Sequence, residues 1–324
     1  MATSDQVMAL IKSHVKADDD RFFAVAIQVA AHAARKGHGR VAEEIRALVD
    51  NAKLDRQRAA RPVPIATPRG ELAALLSVSY PKTRLSDMVL PDATRQRYAR
   101  LLKEQRGRQK LLAHGLEPRR KLLLVGPPGS GKTMTAGALA GELEVPLYTL
   151  LLHGLITKFM GETAAKLRLV FDSLAEHRGV YLFDEFDAIG GHRAATNDVG
   201  EIRRVLNSFL QFLEQDASSS VIIAATNHPE ALDRALFRRF DDVIEYDVPA
   251  DGLVREVMMN TLATFEVAHV DWDRAVEAAR GMSNADIARA CESAAKEAVL
   301  DDTLAVSTDA LVTALTERRH ATPE

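Results

Sequence analysis

From Lys121 onward, apolar residues come in short, nearly unbroken runs: KLLLV at 121–125, PLYTL at 146–150, VYLF at 180–183, VIIAAT at 221–226 and VIEYDV at 243–248. Runs of this kind lack the alternation of a half-exposed strand and match strands buried on both faces. Helical stretches fill the intervals, so the pattern predicts right-handed βαβ units and an α/β fold, with a five-stranded parallel sheet sandwiched by helices. After Pro249 the strand pattern stops, and 251–319 reads as helix throughout, a small all-helical domain.

Upstream the texture differs. In RFFAVAIQVAAHAARKGHG, Phe22, Val25, Ala26, Val29 and Ala33 recur at helical spacing, with Asp18 to Asp20 as N-cap candidates and Gly37 and Gly39 as stop signals. Residues 1–58 therefore read as a short helical bundle. The segment AARPVPIATPRG carries Pro62, Pro64 and Pro68, which remove backbone donors and favour extended chain, so 59–81 reads as a semi-rigid linker. Asp92 to His114 reads as one long, very basic helix. The expected division is thus 1–58, 59–81, a large α/β domain over 82–250 and a small helical domain over 251–324.

Composition narrows the function classes. Hydrophobic residues at 47% and charged residues at 27% describe an ordinary globular chain and exclude collagen-like or disordered classes. Cys291 is the only cysteine, which rules out an intrachain disulfide, a CxxC redox pair and a cysteine-built zinc site, and fits a reducing cytoplasm. No apolar run of about 18 residues occurs, so neither secretion nor membrane spanning is expected. A net charge of −3 argues weakly against a nucleic-acid binder, yet 53–121 holds 17 basic and 6 acidic residues, about +11. That stretch reads as a solvated face or a surface meeting an acidic neighbouring subunit, with nucleic-acid contact as the alternative.

The chemistry is concentrated in three places. Gly126-Pro127-Pro128-Gly129-Ser130-Gly131-Lys132-Thr133 satisfies GxxxxGK[ST] between an apolar strand and a helix. Glycines at these positions let backbone N–H groups curl around phosphates, and the helix N-terminus presents partial positive charge to them. Lys132 is placed to reach the β and γ phosphates of ATP, and the Thr133 hydroxyl to ligate Mg²⁺. VYLF then ends in Asp184-Glu185. Carboxylates at the carboxyl edge of a buried strand need partners, and beside a phosphate loop these are Mg²⁺ for Asp184 and an attacking water for Glu185. Finally, Asn227 follows VIIAAT directly, within reach of the γ-phosphate or that water.

GPPGSGKT, YLFDEFD, AATN, the arginine pair in ALFRRFDD and GMSNADIARACESAAKEA together resemble the AAA+ ATPases over about residues 82–320, and among them the branch of katanin, spastin and the ESCRT-disassembling ATPase. The resemblance implies ATP hydrolysis with Mg²⁺ in a ring, a hexamer, that pulls a protein client through an axial pore. It implies Arg238 and Arg239 as fingers reaching into the neighbouring subunit's site. It implies Lys158, Phe159 and Met160 in a first pore loop, with His192 and Arg193 in a second. It further implies nucleotide contacts at Asp87, Met88 and Met134, with Gly281 on the lid side. Residues 1–58 would recruit a client or adaptor. Nucleic-acid remodelling, or gating of a partner protease in a bacterial defence system, are the other roles such a chain can fill. One departure stands out: Asp241-Asp242 occupies a place where relatives commonly carry a basic pair.

Overall fold

The apolar runs form the sheet. The computed structural model describes residues 70–151, 160–186, 199–232 and 234–321, together with Pro68 and with Ala26, Val29, Ala30, Glu43 and Val49. The chain divides into two units, 1–65 and 66–324. In the first, the five described residues are helical, and Ala26, Ala30 and Val49 are buried. The rest of the expected bundle lies outside the described residues.

The second unit opens with a short helix α1 (Leu72–Leu75) and strand β1 (Leu76–Ser79). A 3₁₀ turn at Leu85–Asp87 leads to α2 (Asp92–Arg106) and α3 (Arg108–Leu112). There follow β2 (Lys121–Val125), α4 (Lys132–Leu143), β3 (Leu147–Leu150), α5 (Met160–Glu176), β4 (Val180–Phe183), α6 (Val199–Gln215) and β5 (Val221–Thr226). After a 3₁₀ turn at Pro229–Ala231 come α7 (Arg234–Phe237) and β6 (Asp242–Glu245). The helical domain contains α8 (Asp251–Thr261), α9 (Trp272–Ala279), α10 (Asn284–Leu300) and α11 (Thr308–Ala321).

The sheet has six strands in the order β1-β3-β4-β5-β2-β6, all neighbours parallel except β1 with β3. The expectation of five strands therefore misses β1, which lies inside the segment read as linker. LSVS buries only Leu76, and a four-residue edge strand with one covered face shows no continuous apolar run. The long basic helix is also two helices, broken at Gly107. The region from 251 is the expected small helical domain, built of four helices, with an isolated bridge between Glu266 and Ala305.

Two hydrophobic layers cover the sheet. Leu123, Tyr181, Phe183 and Ile222 face α5 and α6 through Phe171 and Phe209, while Leu122, Leu124, Leu182 and Ile223 face α2 and α4 through Tyr98, Leu101 and Leu139. Burial on both faces is what the unbroken apolar runs require. Helices α8 to α11 enclose a separate core around Met258, Ile287, Cys291 and Leu315. Cys291 is one of its small buried residues. No helix among the described residues is long and apolar enough to cross a membrane.

The basic stretch has acidic partners within the chain. Arg97 pairs with Asp242 and also donates to the Val243 carbonyl at 2.6 Å. Arg119 meets Glu104 at 2.7 Å, Arg106 meets Glu142 at 3.0 Å, and Arg120 pairs with Asp216 where both side chains are nearly buried. Asp241 Oδ2 accepts from the backbone N–H groups of Arg120 and Lys121 at 2.8 and 2.9 Å. The unusual acid pair thus tethers β6 to α2 and to the start of β2.

Candidate active site

Because β4, β5 and β2 are adjacent and parallel, the loops at their carboxyl ends gather at one place. The loop after β2 turns with φ of +144° at Gly126, +73° at Gly129 and +105° at Gly131, a region that side-chain-bearing residues rarely adopt. At Gly126 a Cβ would also lie 2.1 Å from the Tyr246 carbonyl oxygen. Glycine is obligatory there on two grounds.

Lys132 opens α4 and is almost buried. Its Nζ donates to the carbonyls of Gly126 and Pro127, each at 2.8 Å, with Ser130 Oγ at 3.4 Å. A buried ammonium needs acceptors, and here the loop's own carbonyls supply them. Thr133 Oγ1 donates to Asp184 Oδ2 at 2.6 Å, joining the loop to the end of β4. The other Asp184 oxygen accepts the Glu185 N–H at 2.9 Å.

Glu185 has φ of +50°, a strained conformation for a residue with a side chain. It is held on both sides, by Asp184 and by buried Phe186, whose N–H donates to the Ala225 carbonyl at 2.8 Å. This turn leaves the Glu185 carboxyl exposed at the mouth of a cavity of about 480 Å³. Asn227, just after β5, reaches the same cavity.

The opposite wall has three sources. Asp87, Met88 and Val89 come from the 3₁₀ turn and the residues after it. Val257, Asn260 and Thr261 come from α8, and Asn284, Ala285 and Ala288 from the first turns of α10. The lid meets the phosphate loop directly: Ala285 N–H donates to the Gly129 carbonyl at 3.0 Å, and a Cβ on Gly129 would stand 2.5 Å from Ser283 Oγ.

Beneath the loop runs a buried hydroxyl chain. Tyr98 and Tyr246 share a hydrogen bond at 2.6 Å, Tyr246 and Thr135 one at 2.5 Å, and Thr135 Oγ1 also donates to the Gly131 carbonyl at 3.1 Å. Burial pushes both phenols above their ordinary range, so they stay neutral. The chain ties α2 and the segment after β6 to the loop.

Most of the sequence-predicted residues converge. Pro128 to Met134, Asp184, Glu185, Asn227, Asp87 and Met88 line one cavity, while Gly126 and Pro127 contribute the carbonyls behind Lys132. Gly281 does not line it. With φ of +84° it turns the chain between α9 and the Ser283 cap of α10, and the lid-side lining comes from α8 and from one face of α10. Arg238 and Arg239 lie outside the cavity, exposed in the turn after α7, and Arg239 pairs with Glu214 of α6. Lys158, Phe159, His192 and Arg193 fall outside the described residues, and Met160 is the first residue of α5.

The residues present fit a magnesium nucleotide. Thr133 and Asp184 bring a hydroxyl and a carboxylate within hydrogen-bond distance of each other, the hard-oxygen pair Mg²⁺ takes alongside phosphate. Residues 128–134 of the loop line the cavity, and its volume of about 480 Å³ suits a nucleotide.

Comparison with known proteins shows the family of the chain. Residues 122–248 match the family described as ATPase family associated with various cellular activities (AAA). The chain is 33% identical over 302 residues, 93% of its own length and 91% of the other's, to an uncharacterized AAA family ATPase y4kL of Sinorhizobium fredii. It is 32% identical to the ATP-dependent zinc metalloprotease FtsH of Acidothermus cellulolyticus, matching 69% of this chain and 35% of that protein. It is 35% identical to a putative 26S proteasome regulatory subunit homolog of Methanothermobacter thermautotrophicus, matching 62% of this chain and 55% of that one. In fold it is similar to the crystal structure of the FIGL-1 AAA domain, at 22% identity and a TM-score of 0.62, over 82% of this chain and 93% of that one. A phosphate loop, a two-acid strand end and a full-length AAA relative lead to one conclusion: the chain belongs to the AAA family of ATPases, binding nucleotide and hydrolysing ATP.

Proposed function

We propose that the cavity between the sheet's carboxyl edge and α8 and α10 is where ATP is bound and hydrolysed. One observation carries this reading: Lys132, Thr133, Asp184, Glu185 and Asn227, drawn from three separate strand ends, face the same cavity. Lys132 exchanges the carbonyls of Gly126 and Pro127 for β and γ phosphate oxygens. Thr133 and Asp184 hold Mg²⁺, which when bound neutralises charge on the phosphates. Glu185 takes the proton from the attacking water, and Asn227 orients that water or the γ-phosphate.

The ATPase acts as a ring, a hexamer, in the cytoplasm, remodelling or threading a protein client. Arg238 and Arg239 serve the neighbouring subunit's site, and their exposure supports a role outside their own cavity. Lys158, Phe159 and Met160, with His192 and Arg193, face the axial pore, and residues 1–58 recruit the client or an adaptor. LFRRF and GMSNADI support placement in the branch of katanin, spastin and the ESCRT-disassembling ATPase. Gating of a partner protease is the second reading, favoured by relatives named as a metalloprotease and as a proteasome regulatory subunit. Nucleic-acid remodelling is the less favoured one. Arg97, Arg106, Arg119 and Arg120 already meet acids of the same chain, which weakens the field a phosphate backbone would feel.

The test is ATP hydrolysis per subunit across a dilution series, with Mg²⁺ and with EDTA. Activity falls as the assembly dissociates and disappears in EDTA. Activity independent of concentration down to a monomer verified by light scattering would remove the arginines from the neighbour's site, and activity persisting in EDTA would remove Mg²⁺.

A further inference from the structure

The buried hydroxyl chain beneath the phosphate loop runs in one direction. Tyr98 OH, Tyr246 OH and Thr135 Oγ1 are linked at 2.6 and 2.5 Å, and Thr135 Oγ1 reaches the Gly131 carbonyl at 3.1 Å. Each hydroxyl has a single proton to donate. A carbonyl only accepts, so Thr135 donates to Gly131, Tyr246 to Thr135, and Tyr98 to Tyr246. The opposite order would turn the Tyr98 proton away from Tyr246, and among the described residues Tyr98 OH has no second hydrogen-bond partner. In a fully buried side chain that orphaned donor would be costly. Met88 Sδ, 3.8 Å from Thr135 Oγ1, is a weak thioether acceptor, and a proton given to it would leave the order of the chain unchanged.

The chain ends on the peptide that joins Gly131 to Lys132. Its carbonyl also accepts the Thr135 N–H at 2.9 Å, the first bond of α4, and so points into the helix. In a trans peptide the N–H points the opposite way. The Lys132 N–H is therefore directed out of the N-terminus of α4, the end at which Gly131, Lys132 and Thr133 line the cavity. Helix N-termini hold anions through such groups. A threonine hydroxyl on the carbonyl four residues back is ordinary in a helix. Two further buried hydroxyls feeding it, one from α2 and one from the segment after β6, are not required by helix geometry. Hydrogen bonds in a row polarise one another, and density drawn to the Gly131 oxygen makes the Lys132 N–H a stronger donor.

From this we infer that Tyr98, Tyr246 and Thr135 are positioning residues for the nucleotide: they orient the Gly131–Lys132 peptide and strengthen its N–H toward the bound phosphates. None of the three lines the cavity, so they act through the peptide and not by touching the ligand. The inference rests on the cavity taking the phosphates of an adenine nucleotide, and adds to that reading a source of phosphate affinity outside the loop. Tyr246 is the middle member of the chain. Its N–H donates to the Val125 carbonyl at 2.8 Å, which fixes the phenol's origin against the last residue before the loop.

Gly131-Lys132 is the only Gly-Lys step in the sequence, so the full chain labelled with carbonyl-¹³C glycine and ¹⁵N lysine gives a carbonyl–amide NMR correlation from this peptide alone. That signal, and calorimetric titration with ADP, are compared in wild type, Thr135→Val, Thr135→Ser and Tyr246→Phe. Thr135→Val removes the last donor: ADP binds about fivefold more weakly, and the glycine carbonyl signal moves upfield. Thr135→Ser keeps the hydroxyl and holds both near wild type. Tyr246→Phe leaves the Thr135 bond in place and removes its polarisation, so the signal moves the same way by a smaller step and ADP affinity falls by less. An unmoved signal in Tyr246→Phe would overturn the inference, as would equal ADP affinity in wild type and Thr135→Val. A loss that Thr135→Ser shares in full would assign the effect to packing and overturn it too. These outcomes leave ADP binding by the wild type intact; failure of the wild type to bind ADP would overturn the nucleotide reading of the cavity, and the inference with it. Thermal unfolding without ligand verifies that each variant is folded. Should valine unfold the chain, Tyr246→Phe against Thr135→Ser carries the same comparison, with the loss and the shift confined to the first.

Discussion

The two ends of the cavity are built on different principles. At the phosphate end, eight consecutive residues after β2 and the two acids just after β4 supply nearly everything, joined by short polar contacts: Lys132 to two carbonyls at 2.8 Å and Thr133 to Asp184 at 2.6 Å. At the nucleoside end, the lining comes from 87–89, 257–261 and 284–288, with largely buried Met88 and Val257 among it. The first end is local and electrostatic; the second exists only while the lid's core holds α8 and α10 in place. Charge chemistry can therefore be lost without disturbing nucleoside packing. Discrimination between nucleosides, conversely, depends on residues far apart in the chain.

The sharpest break between the ends is expected from Glu185→Gln. Replacing the carboxylate removes the base but leaves the cavity's shape, so turnover falls about 10³-fold while ATP affinity stays within about threefold. Phosphate release and equilibrium binding measured on one preparation check this. Near-normal turnover would remove Glu185 from the reaction. Lys132→Ala comes next. A charge-assisted contact is lost, and the Gly126 and Pro127 carbonyls lose their partner, so nucleotide affinity falls about 10- to 100-fold. Because the deletion is electrostatic, the loss is expected to be larger for ATP than for ADP.

Gly129→Ala probes the junction of the two ends. The residue has φ of +73°, and a methyl group would sit 2.5 Å from Ser283 Oγ. Strain and clash together cost on the order of 1–3 kcal/mol. The lid must move away from the loop, so nucleotide affinity and the ligand-free unfolding midpoint fall together. An unchanged midpoint with lost affinity would mean that the lid contact contributes nothing to folding.

The same division governs what could be read from the sequence. GxxxxGK[ST] and the two-acid strand end compress a geometry into adjacent residues, because the curl of the loop and the parallel order of buried strands are enough to bring Lys132, Thr133, Asp184 and Asn227 together. Asp87 and Met88 were accessible only through a family resemblance. Asn260 and Thr261 had no local signal, since an exposed asparagine near a helix end is ordinary. Asn284, Ala285 and Ala288 did carry one: they share a helix face within a motif already singled out, yet helical spacing alone does not say what that face meets. Strand β1 escaped for a similar reason, as LSVS becomes a strand only by pairing with β3. The acid pair 241–242 looked anomalous until α2 was placed beside it.

The smallest effect expected tests how firmly the nucleoside wall is anchored. Asp286 lies in the first turn of α10, accepting from Ser283 Oγ at 2.7 Å and pairing with Arg318 of α11 at 2.8 Å. Burial pushes its carboxyl up, but the Ser283 hydrogen bond and Arg318 outweigh this and hold it below the usual carboxylate range. A depressed pKa means that its contribution to stability is fully present above the unfolded value, about 3.9, and is lost as pH falls through the folded one. Asp286→Asn is therefore expected to lower stability by about 1 kcal/mol at pH 7. That difference from wild type shrinks below about pH 4, where the unfolded chain's carboxyl takes up a proton, and disappears once the pH falls below the lower value of the folded carboxyl. Denaturant unfolding at pH 7 and near pH 3 distinguishes the two cases. A difference independent of pH would show that the cap on α10 acts through shape alone, and that the wall carrying Asn284 owes nothing to the charge behind it.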